Sequence, residues 1–132
     1  MKTAIDSSVL WCILKDEPDA SRWQQILERA VDDGPLCLCP VVLAEIAPGN
    51  ESAGAMLGVL RRLGIDHDAI SPEAAWMAGK VFLEYRQAGG TRQTMIPDFL
   101  IASHAQVQCT RLAAIDRGYL RRYFTGLKLI SL

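Results

Sequence analysis

The sequence predicts an α/β sandwich, with a central parallel sheet covered by helices. Two observations carry this prediction. Short apolar runs of strand length alternate with longer segments of helical character along the chain. Helices separate the runs, so successive strands are joined by crossovers and lie parallel.

The elements follow in order. "KTAID" is a short extended run. "SSVLWCILKD" has apolar residues on several faces, as a buried helix does. "EPDASRWQQILERAVDD" starts acidic, carries Pro18 near its first turn and stops at Gly34-Pro35, which marks a second helix. "LCLC" is the next strand. Pro40 opens the short helix "PVVLAEIA", which ends at Pro48-Gly49. "ESAGAMLGVLRRLG" reads as a helix and "IDHDAI" as a third strand. "SPEAAWMAGKVFLEYRQAGG" has Ser71 as N-cap, Pro72 at the first position and Glu73 behind it, and closes on Gly89-Gly90. In "TMIPDFLIASHAQ" Pro97 opens a helix whose residues Phe99 to Ala102 are apolar all round and expected in the core. The strand "RLAAI", a helix or turn "DRGYLRRYF" and the strand "LKLI" complete the chain.

A length of 132 residues fits one domain, residues 1–132, able to bury a real core. Half the residues are hydrophobic, and 14 basic side chains face 15 acidic ones. That excludes a disordered tail and gives no global attraction for nucleic acid, so any such contact needs a local basic patch. "MKTAIDSS" lacks the apolar core of a signal peptide, and no stretch reaches membrane-spanning length. Cys12, Cys37, Cys39 and Cys109 mostly sit in apolar runs and read as reduced core thiols of a cytoplasmic protein. Cys37-x-Cys39 lacks a second metal pair at suitable spacing, so zinc is not expected there.

Four acids stand out by position. Asp6 and Asp116 each end an apolar strand, in "TAID" and "AAID". Ligands of open parallel sheets bind outside the carboxyl ends of the strands, and both acids belong at that edge. Asp98 lies in the first turn of a helix that returns there, and Glu45 about one turn into the helix after "LCLC". Taken singly, each has an ordinary reading as a helix cap, a dipole partner, a turn residue or a solvated glutamate. Together they lie against strongly apolar sequence, where clustered carboxylates repel and lose solvation. A hard divalent cation resolves that conflict, and oxygen ligands select Mg²⁺ or Mn²⁺ over zinc.

The order Asp6, Glu45, Asp98, Asp116 resembles the PIN-domain nucleases, specifically the toxin ribonucleases of VapBC-type toxin–antitoxin pairs. The likeness runs along the whole chain, through "AIDSSVL", "VVLAEIA", "IPDFLIASHA" and "LAAIDRGYLRRYFTGLKLI". It implies a PIN-like α/β/α sandwich and a Mg²⁺-dependent endoribonuclease whose four acids are both catalytic and metal-binding. One departure concerns the fourth acid. Ala114-Ile115-Asp116 stands where many members carry Thr-Arg-Asp, so the supporting hydroxyl is missing. Ser7 and Ser8 match positions that orient the metal ligands in the family, and equally suit helix capping. The resemblance also implies an RNA substrate, a VapB-like antitoxin partner, a homodimer, and DNA contact only through the antitoxin complex. No membrane partner is implied.

The residue types fit hydrolysis of a phosphodiester. A carboxylate-held Mg²⁺ lowers the pKa of a bound water and offsets charge on the phosphorus oxygens, so no serine, cysteine or histidine nucleophile is needed. His104 is six positions after Asp98, about 240° round the helix, and should face away from the acids. Arg86 and Arg92 flank the loop before Asp98, and Arg117, Arg121 and Arg122 follow Asp116. Such side chains hold phosphates, or simply stand in solvent. Two other classes stay open: a catalytically degenerate interaction module on the same fold, and an aspartyl-phosphate phosphatase-like protein. The second usually has Asp-x-Asp, where this chain has Asp6-Ser7-Ser8.

Overall fold

The strands β1 (Thr3–Ile5), β2 (Leu36–Leu38), β3 (Ile65–His67), β4 (Arg111–Ala113) and β5 (Lys128–Ile130) form one sheet in the order β3-β2-β1-β4-β5. Every pairing is parallel. The computed structural model describes residues 1–92, 96–115 and 118–132, and of Tyr119 only the backbone. β1 is the central strand. From it the chain moves outward to β2 and β3, then returns across the sheet to β4 and β5 on the other side. The strand order therefore reverses between β1 and β4, and this switch point opens a crevice at the carboxyl edge.

The connections are the helices α1 (Ser7–Leu14), α2 (Ala20–Asp33), α3 (Pro40–Ile46), α4 (Ala53–Leu63), α5 (Pro72–Gln87), α6 (Pro97–Gln108) and α7 (Tyr119–Tyr123), with a 3-10 turn at Ala47–Gly49. Together with the sheet they make the expected α/β/α sandwich. α1 packs on α2 and α3, α5 packs on α6, and α3 also touches α6. Among the described residues, no helix is long and apolar enough to cross a membrane.

Local chemistry sets the boundaries. Ser52 and Ser71 accept hydrogen bonds from Ala55 N and Ala74 N, satisfying amides that the first helical turn leaves unpaired. Pro40, Pro72 and Pro97 stand in the first turns of α3, α5 and α6, where a missing N–H costs nothing. Gly64 ends α4 at φ 71°, a left-handed conformation that suits glycine. Each strand is shorter than its apolar run because end residues are taken up elsewhere. Cys39 leaves β2 to become the N-cap of α3, and Asp6 leaves β1 to cap α1.

α6 is the most enclosed helix. Phe99, Ile101, Ala102, Ser103, His104 and Ala105 are all buried. Leu100, expected in the core with its neighbours, is only partly buried. Phe99 instead anchors the helix start. Its ring centroid lies 5.6 Å from Tyr85, 5.8 Å from Phe124, 5.9 Å from Tyr123 and 6.4 Å from Phe82. Aromatic pairs in this range add to the area that they bury.

Phe99→Ala should therefore cost about 3–5 kcal/mol, as large aromatic truncations in a core do. Leu100→Ala should cost clearly less. Urea unfolding of both variants checks this ranking, and equal losses would mean that Phe99 is not the anchor.

Candidate active site

The carboxyl edge of the sheet is built outward from β1. Ile5 pairs with Ala113 of β4, and the next amide, Asp6 N, donates to Ala113 O at 2.9 Å. Asp6 is 5% exposed and is the N-cap of α1. Its Oδ2 accepts from Ser8 N at 3.2 Å and also from Ser8 Oγ. The hydroxyl of Ser8 in turn accepts from Ile115 N at 3.3 Å, which ties the end of β4 to the start of α1. Ser7, 8% exposed, points elsewhere. Its Oγ donates to Glu45 Oε1 at 3.0 Å. Consecutive serines thus address two different acids, one just past β1 and one on α3.

Both readings of Asp6 hold together, since it caps a helix and also stands at the switch-point rim. The N-cap of α6 is Ile96 and not Asp98, so the ordinary reading that remains for Asp98 is that of a dipole partner. Asp98 occupies the first turn of α6, where the positive end of the helix dipole favours a carboxylate. It is half-buried, as is Glu45. The contact between α3 and α6 brings the two helices that carry these acids together. Arg86, in the last turn of α5, and Arg92, just beyond it, are exposed. Arg92 N donates to Tyr85 Oη at 3.4 Å, so the aromatic group around Phe99 also holds this loop. Asp116 and Arg117, the fourth expected acid and a proposed phosphate contact, lie outside the described residues.

The donors of the described rim acids are all hard oxygens, a set that fits Mg²⁺ or Mn²⁺ and suits zinc poorly. Among the described residues, Asp6, Glu45 and Asp98 do not gather as three donors within reach of one ion. Among the described residues, a group with donor atoms all within 4.8 Å of one another lies elsewhere: Cys37, Asp68, His104 and Cys109. Cys37 Sγ and Cys109 Sγ are 3.3 Å apart, and His104 Nε2 lies 2.8 Å from Asp68 Oδ2. Lys2 Nζ and Gln108 Nε2 also donate to Asp68 Oδ2, at 3.1 Å and 3.3 Å.

The charges of that group follow from these contacts. Burial opposes the Asp68 carboxylate, but His104 and Lys2 outweigh it and hold its pKa below the usual value. Burial pushes the His104 imidazole down, against the pull of Asp68. Burial likewise opposes the Lys2 charge, yet Asp68 keeps its pKa raised. The hydrogen bond between the two sulfurs raises Cys37 and lowers Cys109, so Cys109 is the thiol that ionises first. The hydrogen bond of His104 goes to Asp68 and to none of the described rim acids. Its partner Asp68 was not foreseeable, since 36 residues separate the two.

The fold has close counterparts among solved structures. A VapBC2 structure from Rickettsia felis, bound to a DNA fragment from its promoter, matches with a TM-score of 0.79 at 20% identity, over 100% of this chain and 99% of that one. VapBC-1 from nontypeable Haemophilus influenzae matches with a TM-score of 0.72 at 17% identity, over 99% and 98%. DNA-bound VapBC from Salmonella typhimurium follows at 0.66 and 19%, again over 99% and 98%. At these identities the likeness speaks for the fold. Among curated proteins no relative matches the chain by sequence. The family model of the PIN domain matches residues 3–124, from β1 to just past α7. This span takes in each element that builds the rim, and the chain belongs to the PIN domain family.

Proposed function

We propose that this protein is a metal-dependent endoribonuclease, the toxin of a type II toxin–antitoxin pair, with its active site at the β1/β4 switch point. The observation that carries this reading is the pair of serine contacts. Ser8 fixes Asp6 and Ser7 fixes Glu45, so two acids from separate elements are oriented at one rim. Family membership and the VapBC structures of the same fold support it.

Asp6, Glu45, Asp98 and Asp116 would hold Mg²⁺ or Mn²⁺. When bound, such an ion lowers the pKa of water and offsets negative charge on a phosphodiester. The remaining work belongs to the chain. Ser7 and Ser8 hold two carboxylates by hydrogen bonds and Phe99 seats the turn that carries Asp98, while Arg86, Arg92 and Arg117 are the side chains that would hold substrate phosphates. Four free, buried cysteines suit a reducing cytoplasm.

The partner in this reading is a small VapB-like antitoxin, with self-association of the nuclease and DNA contact through the antitoxin complex. Trp23 is 1% exposed and belongs to the core. Trp76 is 68% exposed on α5, beside Pro72, Glu73, Met77 and Val107. It offers a large apolar anchor of the kind that dominates protein interfaces.

Three outcomes are expected. Asp98→Asn and Asp6→Asn should each lower RNase activity on the order of 100-fold or more, as loss of a charge-stabilising group at an active site does. Thermal melts of metal-free Asp98→Asn should stay near the wild type or exceed it, because relief of repulsion among the rim acids offsets the lost dipole contact at the start of α6. Wild-type cleavage rates in folded Asp98→Asn at saturating Mg²⁺ would sink the assignment of Asp98, and no cleavage by the folded wild-type chain would leave the interaction-module reading. Ser7→Ala should reduce activity about 10–100-fold, the range for outer-shell partners of a metal site. It should also raise the Mg²⁺ concentration needed for half-maximal rate, and an unchanged Mg²⁺ requirement would count against an orienting role. Trp76→Ala should leave the fold intact and weaken self-association or antitoxin binding in analytical ultracentrifugation. Unaltered sedimentation in both assays would place the interface elsewhere.

A further inference from the structure

A second group of ligating side chains lies away from the rim and takes no part in the proposed reaction. Cys37 comes from β2, Asp68 follows β3, His104 lies within α6, and Cys109 is the C-cap of α6. Three of the four are interior: Cys37 is 1% exposed, His104 0% and Cys109 9%. Their donor atoms all lie within 4.8 Å of one another.

Ordinary packing does not account for this company. A disulfide would use the two sulfurs, but at 3.3 Å they are unbonded, and both cysteines are free. It would also leave the imidazole and carboxylate beside them without a purpose. His104 spends its one hydrogen bond among the described residues on Asp68, and its buried Nδ1 has no partner there. Buried thiols alone are ordinary core residues, but a buried imidazole and an ionised carboxylate converging on them are not.

The chemistry of the four donors selects the ligand. Thiolate and imidazole together favour zinc over the hard cations that suit the rim. In a tetrahedral zinc site, bond lengths of about 2.0–2.3 Å put neighbouring donors roughly 3.3–3.8 Å apart. The 2.8 Å separation is shorter than that spacing, the 3.3 Å separation lies at its lower limit and all four donors lie within 4.8 Å of one another, so side-chain shifts would seat the ion. Charge is matched as well. Zinc with two thiolates, one carboxylate and a neutral imidazole carries one negative charge, and Lys2 Nζ stands 3.1 Å from Asp68 Oδ2 to offset it. Gln108 Nε2 donates to Asp68 and, at 2.7 Å, to Ala69 O, holding the carboxylate from outside as second partners of metal ligands do.

We propose that Cys37, Asp68, His104 and Cys109 form a closed structural zinc site that fastens α6 to β2 and to the segment behind β3. Four protein ligands leave no open position for a substrate. Binding displaces the two thiol protons to solvent, while the imidazole stays neutral and the carboxylate ionised. His104 sits about 9 Å along the helix axis from Asp98, so the site is independent of the nuclease reading.

Cobalt titration of the reduced, metal-free full chain tests this. Tetrahedral Co²⁺ with thiolate ligands gives a sulfur-to-metal charge-transfer band and strong visible bands, whereas an oxygen-ligated rim ion gives neither. The expected result is saturation at one Co²⁺ per chain, displacement by Zn²⁺, and a higher melting temperature on Zn²⁺ addition. Cys37→Ser and Cys109→Ser should lose the charge-transfer band in part or whole, and His104→Gln should shift the visible bands. Asp98→Asn and Cys12→Ser should keep the full spectrum. Absence of the band in folded, reduced wild-type protein overturns the proposal, and this result does not depend on whether any variant folds. An unchanged band in Cys109→Ser also overturns it. So does a wild-type chain that binds no Zn²⁺ when reduced and yields a Cys37–Cys109 disulfide on air oxidation, which makes the pair a redox couple. Failure of RNase activity with normal cobalt binding would instead count against the rim alone.

Discussion

The rim depends on the parallel pairing of β1 with β4. That pairing places Ile5 opposite Ala113 and carries Asp6 to the same level as the end of β4. The amide of Ile115 then reaches Ser8, and Ser8 reaches Asp6. Both faces of β1 are covered, and Thr3, Ala4 and Ile5 are all buried. A register slip of one residue would put each of these side chains against the wrong layer and move Asp6 off the end of β4. Packing of the whole short strand thus fixes where the acid stands. The position of the carboxylate is a by-product of packing in the residues before it.

The same coupling recurs at α6. Phe99 sits among four aromatic rings immediately after Asp98, so the acid is carried by the best-anchored turn of an enclosed helix. At the far end, Cys109 and Gln108 meet Cys37 and Asp68. One helix therefore has a hard-oxygen chemistry at its start and a sulfur and nitrogen chemistry at its end. The interior between them is apolar apart from Ser103 and His104.

Much of this was legible because it is local. Ser71, Pro72 and Pro97 announce helix starts through steric and capping rules that operate within a few residues. Asp6, Glu45 and Asp98 could be placed at one edge because parallel topology sends strand ends and returning helices there. The Cys37 group was illegible for the opposite reason. Its two sulfurs are 72 positions apart, and the nearby Cys39 drew attention to a spacing that the fold does not use. Cys39 leaves the strand to cap α3, while Cys37 stays in β2 and meets α6. Leu100 misled more simply. A run of four apolar residues hid the fact that even an enclosed helix keeps one line of side chains nearer solvent.

The pairing at the centre of the sheet joins Thr3 to Arg111, 108 positions along the chain. Strands so distant must wait for the loop between them to close, so the core of this sheet is assembled late and slowly. On the ribosome, where a chain emerges at about 5–20 residues per second, the first acid is exposed for several seconds before its neighbouring strand has been made. Until β4 arrives, β1 has an open edge and the rim has no second side. On the proposed reading, the nuclease could not act on the very message that is being translated until nearly the whole chain has been synthesised.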